Sequence, residues 1–257
     1  MKKRTNLKYL ELLNKFLKKD NYLISFFYFP FIYLLGWIII SILTYPFPNL
    51  IAQKSLYGTV ITFIIFLVLL PNWFTYKWNK NFFKSLGINK LNKEILLSYL
   101  IFEFFKAFFI ILLICLIALI GGYATFFLKI NNSIIFNGIF LGLIVGFAEE
   151  LVFRVWLFEE LNLFLKPGRA NFYQAILFSF AHYRSDFDLL SNIQLLIGLF
   201  ILGLYLNTWR VTQKPTIILP ILFHGSLVGI WFLVTNSLII INKEIPNLLF
   251  GPGEGLN

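Results

Sequence analysis

The chain has 257 residues, of which 59% are hydrophobic and only 13% are charged. Soluble domains are about 45–50% apolar and about 25% charged, so this composition excludes an ordinary soluble domain and predicts a protein whose main partner is the lipid bilayer. The net charge of +10 does not indicate nucleic acid as a partner, because a chain this hydrophobic offers no soluble basic domain to bind it.

The first element is a basic amphipathic stretch at residues 1–20. Leucines at positions 7, 10, 13 and 17 recur at helical spacing, with lysines on the other faces. This pattern predicts an interfacial helix on an anionic leaflet, and a solvated tail is the alternative. At the C-terminal end, residues 243–257 are predicted to form a flexible tail.

Seven apolar segments lie between these ends, near 22–44, 56–76, 95–120, 134–158, 171–190, 191–209 and 215–240. A transmembrane helix needs about 17–25 residues, so the segment at 171–190 is marginal, and the last segment is long enough to divide. The pattern predicts an all-α fold. We expect a polytopic membrane helix bundle of about seven to eight transmembrane helices that occupies residues 21–242 as one domain.

The basic residues between the segments predict the orientation. Of the 22 Lys and Arg residues, 16 fall on one side of the membrane, 4 fall on the other, and Lys106 and Arg154 lie within helices. Cytoplasmic loops carry the excess of Lys and Arg. The protein is therefore expected to be a multi-pass membrane protein with a cytoplasmic N-terminus.

Ionisable side chains inside the apolar segments are the most informative feature of the chain. Glu149, Glu150 and Arg154 fall in the segment 134–158, and the only two histidines, His182 and His224, fall in later segments. A charged side chain at the bilayer centre costs about 2.5–3.5 kcal/mol on insertion scales, so such groups face protein or water. We expect a polar site inside the bundle.

Helix geometry predicts that these residues meet. Measured from the predicted inner helix ends at about 1.5 Å per residue, Glu149, His182 and His224 all lie about 13–17 Å from the cytoplasmic edge. Glu150 and Arg154 are four residues apart and can pair on one helix face. Glu149 is rotated by about 100° from Glu150 and is free to face the histidines in a cavity open to the cytoplasm.

A carboxylate beside a histidine in a dry cavity suits general base catalysis on a water molecule. A neutral histidine can hold that water or act as an acid. The alternative is that a Glu–Arg pair and two histidines only lock the helices together, but their common depth favours a site. Glu103 and Lys106, three residues apart, are predicted to be an internal pair.

Three motifs carry a family resemblance. Glu149, Glu150 and Arg154 form EExxxR, Phe178 to His182 forms FxxxH, and His224 begins an HxxxN-type pattern. In order and spacing they resemble the CPBP family of intramembrane proteases, the CAAX prenyl protease type II and bacteriocin-processing (Abi) family. The similar region covers about residues 134–235.

The resemblance implies an intramembrane endopeptidase acting on membrane-associated peptides or proteins, in some cases after a prenylated cysteine. By analogy, Glu149 activates the water, and His182 assists it. Glu150 and Arg154 orient the site, and His224 stabilises the oxyanion together with an asparagine four residues later. Whether the substrate of this chain is prenylated is open.

This chain departs from the family at that asparagine, because position 228 is Val. Loss of one oxyanion donor costs roughly 10²–10³-fold in rate. Either another donor substitutes, with Ser226, Asn236 and Asn207 as available hydroxyl and amide groups, or the activity is reduced or lost.

The donor set also admits a metal. Glu149, His182 and His224 are oxygen and nitrogen ligands of the kind that bind Zn²⁺ or another divalent metal. A metal-free reaction driven by glutamate and histidine is equally compatible with the sequence.

Two other classes of function compete with the protease. Intramembrane Glu, His and Arg also serve proton-coupled transporters, although no inverted repeat is visible in the chain. A non-catalytic membrane scaffold or immunity protein of the same family is the other alternative, and Val228 favours it. The combination of motifs favours the protease.

Overall fold

The structure is a computed structural model that describes residues 22–47, 54–88, 92–212 and 216–241. The interfacial stretch predicted at 1–20 and the tail predicted at 243–257 lie outside the described residues. The fold is all-α and polytopic, as predicted, with one small β-ribbon that the sequence did not reveal.

The elements follow one another in the order α1 (Tyr22–Thr44), α2 (Lys54–Tyr76), α3 (Phe82–Ser85), α4 (Lys93–Ile120), β1 (Ala124–Phe126), α5 (Asn132–Glu149), a π-helix (Glu150–Leu157), α6 (Phe158–Asn162), α7 (Pro167–Phe180), α8 (Leu189–Thr212), α9 (Ile218–Ser237) and β2 (Ile239–Ile241). The strands β1 and β2 pair antiparallel, with Thr125 opposite Ile240.

Six helices in the described ranges are long and apolar enough to cross a membrane, namely Ile24–Thr44, Leu56–Tyr76, Lys93–Ile120, Asn132–Asn162, Leu189–Val211 and Ile218–Ser237. The segment predicted at 171–190 is different. It is replaced by the 14-residue helix α7, which begins at Pro167 and ends at Phe180. At about 1.5 Å per residue this helix is about 21 Å long, which is short of a span.

The described residues fall into two compact units, one before and one after the boundary between residues 85 and 86. The single domain expected over 21–242 stays a prediction. In the first unit, α1 and α2 pack closely at Gly36, where an added Cβ would lie 3.1 Å from the carbonyl oxygen of Gly58. Lys77, which follows the segment predicted at 56–76, is buried, donates to the hydroxyl of Ser25 and has its ammonium 4.9 Å from the ring centroid of Trp73.

In the second unit, α5 and α9 touch through glycines. Gly138, Gly142 and Gly146 face Gly225 and Gly229, and a Cβ added at Gly146 would lie 2.8 Å from the Cα of Gly225. Small residues at four-residue intervals allow membrane helices to approach this closely. This close approach places the C-terminal end of α5 against the part of α9 that carries His224.

Two further contacts complete the second unit. Gly203 of α8 packs against Ala175 of α7, where an added Cβ would lie 3.1 Å from the Cα of Ala175. On α4, Glu103 and Lys106 form the predicted internal pair, with 2.7 Å between Oε2 and Nζ. The Lys106 ammonium also lies 3.2 Å from the ring centroid of Trp209 on α8, so the intramembrane lysine is held by a carboxylate and an aromatic face.

Candidate active site

The two glutamates stand where the helix changes type. Glu149 is the last residue of α5, and Glu150 begins a π-helix that continues to Leu157. The backbone N–H of Phe158 donates to the carbonyl of Phe153, the five-residue interval that defines this wider turn. π-Helical turns inside α-helices occur frequently at functional sites. Nothing in the hydrophobic pattern of the sequence indicated this change.

Glu149 faces both histidines with one carboxylate oxygen. Its Oε2 lies 3.4 Å from Nε2 of His182 and 3.8 Å from Nε2 of His224. The side chain of Glu149 is 25% exposed and that of His182 is 29% exposed, whereas Oε2 of Glu149 is itself buried. The structure therefore brings together three residues that lie on three different helices or helix ends.

His182 has a defined tautomer. It follows the end of α7, and its Nδ1 lies 2.8 Å from the carbonyl oxygen of Phe178. A carbonyl only accepts, so Nδ1 carries the hydrogen and donates it. In the neutral ring, Nε2 is then an acceptor, and it is this atom that faces Glu149.

Glu150 joins Arg154 to His224. Its Oε1 lies 2.8 Å from Nδ1 of His224 and 3.2 Å from Nη1 of Arg154. Glu150 and Arg154 are fully buried, and His224 is nearly so. The sequence predicted the pair of Glu150 with Arg154 but not the bond to His224. This carboxylate fixes the ring of His224 and leaves its Nε2 directed toward Glu149.

Phe178 forms the wall shared by these groups. Its ring centroid lies 4.0 Å from Cζ of Arg154, 4.9 Å from the ring of His182 and 6.0 Å from the ring of His224. The side chain is fully buried. The ring thus keeps the guanidinium and both imidazoles against a dry surface, while its own carbonyl binds His182. The sequence identified Phe178 as part of a motif but assigned it no role.

The side chain of Val228 offers no hydrogen-bond donor where the resemblance implies an asparagine. Two of the amide groups considered as substitutes are engaged elsewhere. Asn207 donates to Oδ1 of Asn171 over 2.9 Å, and the exposed Asn236 donates to the carbonyl of Phe232, on its own helix, over 2.8 Å. The remaining group, Ser226, borders an apolar groove between α4, α5 and α9.

The expected metal ligands do not form a metal site in this arrangement. Glu149, His182 and His224 have suitable donor atoms. However, within the described ranges no group of three or more His, Cys, Asp or Glu side chains is placed to hold a metal ion. Metal dependence therefore stays a prediction.

Charged residues beside the site also differ from expectation. Arg210 lies just outside the segment predicted at 191–209, but it belongs to α8, is buried, and has Nη2 3.7 Å from Oε1 of Glu159. After His182, a polar loop leads into α8. There the hydrogen bond from Arg184 lowers the pKa of Asp186, and the hydrogen bond from Ser191 lowers the pKa of Asp188.

Comparison with known families gives two matches. Residues 130–230 match the family of type II CAAX prenyl endopeptidase Rce1-like proteins, and residues 8–81 match a domain of unknown function, DUF8676. No curated protein and no solved structure matches the chain. The first match contains Glu149, Glu150, Arg154, His182 and His224, and it confirms the resemblance drawn from the motifs. Each match falls within one of the two compact units.

Proposed function

We propose that this chain, a member of the CPBP family through its Rce1-like type II CAAX prenyl endopeptidase domain, is an intramembrane endopeptidase in which Glu149 activates the attacking water. The observation that carries the proposal is the position of one Glu149 oxygen within 3.8 Å of Nε2 on both histidines. A general base must lie within hydrogen-bond reach of the proton it takes, directly or through one water. A water held between the carboxylate and the two rings meets this condition.

In the proposed reaction, Glu149 takes a proton from the water, whose oxygen attacks the carbonyl carbon of the scissile peptide bond. The carbonyl π bond opens, and its electron pair becomes the oxyanion of a tetrahedral intermediate. The intermediate then breaks its C–N bond, and the proton held by Glu149 passes to the leaving amine. Neutral His182, with its hydrogen fixed on Nδ1 by Phe178, accepts a hydrogen bond from the water at Nε2 and orients it.

His224 is proposed to stabilise the developing negative charge. Its Nδ1 donates to Glu150, and in the proposed reaction its Nε2 carries a proton taken from bulk water before the attack. This imidazolium donates from Nε2 to the oxyanion and keeps its proton when the C–N bond breaks, and Glu150 stabilises it as an aspartate stabilises the histidine of a Ser-His-Asp triad. Arg154 balances the charge of Glu150 from the other side. This chain then relies on a charged ring for work that the family divides between a histidine and an asparagine.

The proposed substrates are membrane-associated peptides or proteins, and the family to which residues 130–230 belong makes prenylated CAAX-type peptides the first to test. Purified protein is incubated in detergent with membrane-tethered peptides, prenylated and plain, with and without a chelator. Wild type is compared with Glu149→Gln and with Glu94→Gln, a matched change of an exposed glutamate in the first turn of α4.

Cleavage by wild type and by Glu94→Gln, together with loss of about 10²-fold or more in Glu149→Gln, supports the proposal. Equal cleavage by Glu149→Gln contradicts it. Retention of activity with the chelator supports the metal-free reaction, and loss of activity that Zn²⁺ restores contradicts that part of the proposal.

One observation favours a second candidate. Val228 removes the family's amide donor, so a non-catalytic scaffold that keeps the fold is the competing function. Absence of cleavage by wild type across all tethered peptides, with binding of the same peptides retained in Glu149→Gln, supports the scaffold.

A further inference from the structure

Two hydrogen bonds tie the main chain on either side of His182 to the neighbouring helix α8. Three residues before it, the hydroxyl of Ser179 donates to the carbonyl of Leu196 over 2.6 Å. Two residues after it, the backbone N–H of Arg184 donates to Oδ1 of Asn192 over 3.1 Å. Asn192 and Leu196 are four residues apart and therefore share one face of α8.

Asn192 uses its whole amide for this tie. Its Nδ2 donates to the carbonyl oxygens of Arg184, Phe187 and Asp188, at 2.8, 3.2 and 3.3 Å. The residue is only 2% exposed. Every one of these bonds ends in the loop that leads from His182 into α8, so the amide holds that loop in one shape. Buried polar networks that are fully satisfied make a structure rigid.

His182 needs such support because α7 has already ended. The last residue of α7 is Phe180, and the backbone N–H of His182 donates to Ser179 in a final tight turn. The imidazole itself has one firm bond, to the carbonyl of Phe178. Its contact with Glu149, at 3.4 Å, is longer than a normal hydrogen bond. The aim of Nε2 therefore depends on the path of the main chain on both sides of the residue.

We propose, building on the proposed function, that Asn192 and Ser179 are positioning residues that hold His182 with its Nε2 aimed at Glu149. Neither side chain touches the reacting atoms. They act through the backbone, as partners behind a working histidine do when they fix its orientation and tautomer. α8 is then part of the catalytic apparatus, although it carries none of the motif residues.

The chain offers a direct test, because it contains only two histidines. Protein labelled with ¹⁵N-histidine gives one set of imidazole signals for His182 and one for His224, assigned with a His182→Gln variant. In wild type, His182 is expected as the tautomer with hydrogen on Nδ1. In Asn192→Ala, we expect the His182 signals to shift toward a mixture of tautomers, while the His224 signals stay in place and report that the fold is intact.

Asn92→Ala is the matched control. Asn92 also accepts a main-chain N–H at Oδ1, over 2.8 Å, but at the start of α4. It should leave both sets of signals unchanged. Ser179→Ala should affect His182 in the same direction as Asn192→Ala. Unchanged His182 signals in Asn192→Ala overturn the proposal, and so do equal shifts of both histidines, which indicate a general loss of structure.

Kinetics provide an independent reading. A misplacement of about 1 Å costs up to roughly 10²-fold in rate, so Asn192→Ala should lower kcat by about 10- to 100-fold with little change in KM, and should shift the pH profile of kcat. A large rise in KM at unchanged kcat contradicts the positioning role. If wild type cleaves none of the peptides, the proposed function fails, while the NMR experiment still decides whether Asn192 positions His182.

Discussion

His224 and Glu150 are joined by a contact of 2.8 Å between Nδ1 and Oε1, although 74 residues separate them in the chain. The contact gives two consecutive glutamates different tasks. Glu150 is buried, holds the ring of His224 and is paired with Arg154, whereas Glu149 remains partly exposed and faces Nε2 of both histidines. The first glutamate thus stays outside the buried ion pair, and the second belongs to the framework.

This division predicts that the two glutamates contribute unequally to stability. Glu150→Gln should lower the free energy of unfolding by about 3–5 kcal/mol, because it leaves the buried charge of Arg154 without its partner. Glu149→Gln should cost only about 1 kcal/mol, since Glu149 is partly exposed and is not the ion-pair partner of Arg154. Both variants should lose activity. Melting in detergent, followed by tryptophan fluorescence, distinguishes them. Equal melting temperatures for the two variants would show that Glu150 has no framework role.

The glycine contact between α5 and α9 predicts a second pair of variants. Gly142→Ala puts a Cβ against the carbonyl oxygen of Gly225 and should destabilise the protein by about 1–3 kcal/mol. It should also lower activity, because the helices that carry Glu150 and His224 must separate. The control is Gly198→Ala in α8, where an added Cβ meets nothing within 4 Å. That change should be neutral or stabilising by about 0.5–1 kcal/mol.

Thermal melting and peptide cleavage of these two variants are measured side by side. A Gly142→Ala protein that melts with wild type and cleaves at the wild-type rate would mean that α5 and α9 do not touch as described.

Val228 predicts a gain of function. If the missing amide donor limits the rate, Val228→Asn should increase cleavage by roughly 10²–10³-fold, the size of effect that one oxyanion donor has. KM should change little, because the donor acts on the transition state. Val228→Leu is the control for a change in packing. Initial rates on one tethered peptide suffice. A Val228→Asn protein no faster than wild type would indicate that His224 needs no helper here.

The proposed orientation predicts which loops face the cytoplasm. Cys115 is the single cysteine of the chain and is buried, so a Cys115→Ser background accepts one new cysteine at a time. With the N-terminus inside, Lys166→Cys should react with an impermeant maleimide only after the membrane is opened. Lys129→Cys should react in sealed right-side-out vesicles. Both positions are exposed in the structure. The reverse labelling pattern would place the proposed site on the outer side.

The charged residues of the site could be predicted from the sequence because they are so costly in a membrane. Only a few arrangements satisfy Glu149, Glu150 and Arg154 in an apolar helix, and the two histidines were the available partners at the same depth. The glycines at 138, 142 and 146 form a four-residue repeat of small residues, a pattern typical of close helix packing in membranes. The prediction from the sequence did not use this pattern.

Other features had no such signal. The π-helix from Glu150 to Leu157 changes the hydrogen-bond interval of the backbone, and side-chain periodicity over eight residues does not distinguish it from an α-helix. The predicted segment 171–190 extended beyond α7 because it included the mostly polar residues 182–188. No local pattern indicates that Asn192 holds these residues in their loop. Arg210 fell outside the predicted segment 191–209 because the hydrophobic pattern does not show that a charged residue has an ion-pair partner such as Glu159.

The glycines of α5 also have a use in recognising relatives of this chain. A four-residue interval separates Gly138, Gly142, Gly146, Glu150 and Arg154 in turn. The spacing that allows α5 and α9 to approach closely therefore also places a carboxylate where the two helices meet. A search pattern that begins with the three glycines and ends with the arginine would select for helix approach and chemistry together. In chains that have the charged motif but bulky residues at the three glycine positions, we expect a different helix packing to place the second histidine beside the glutamates.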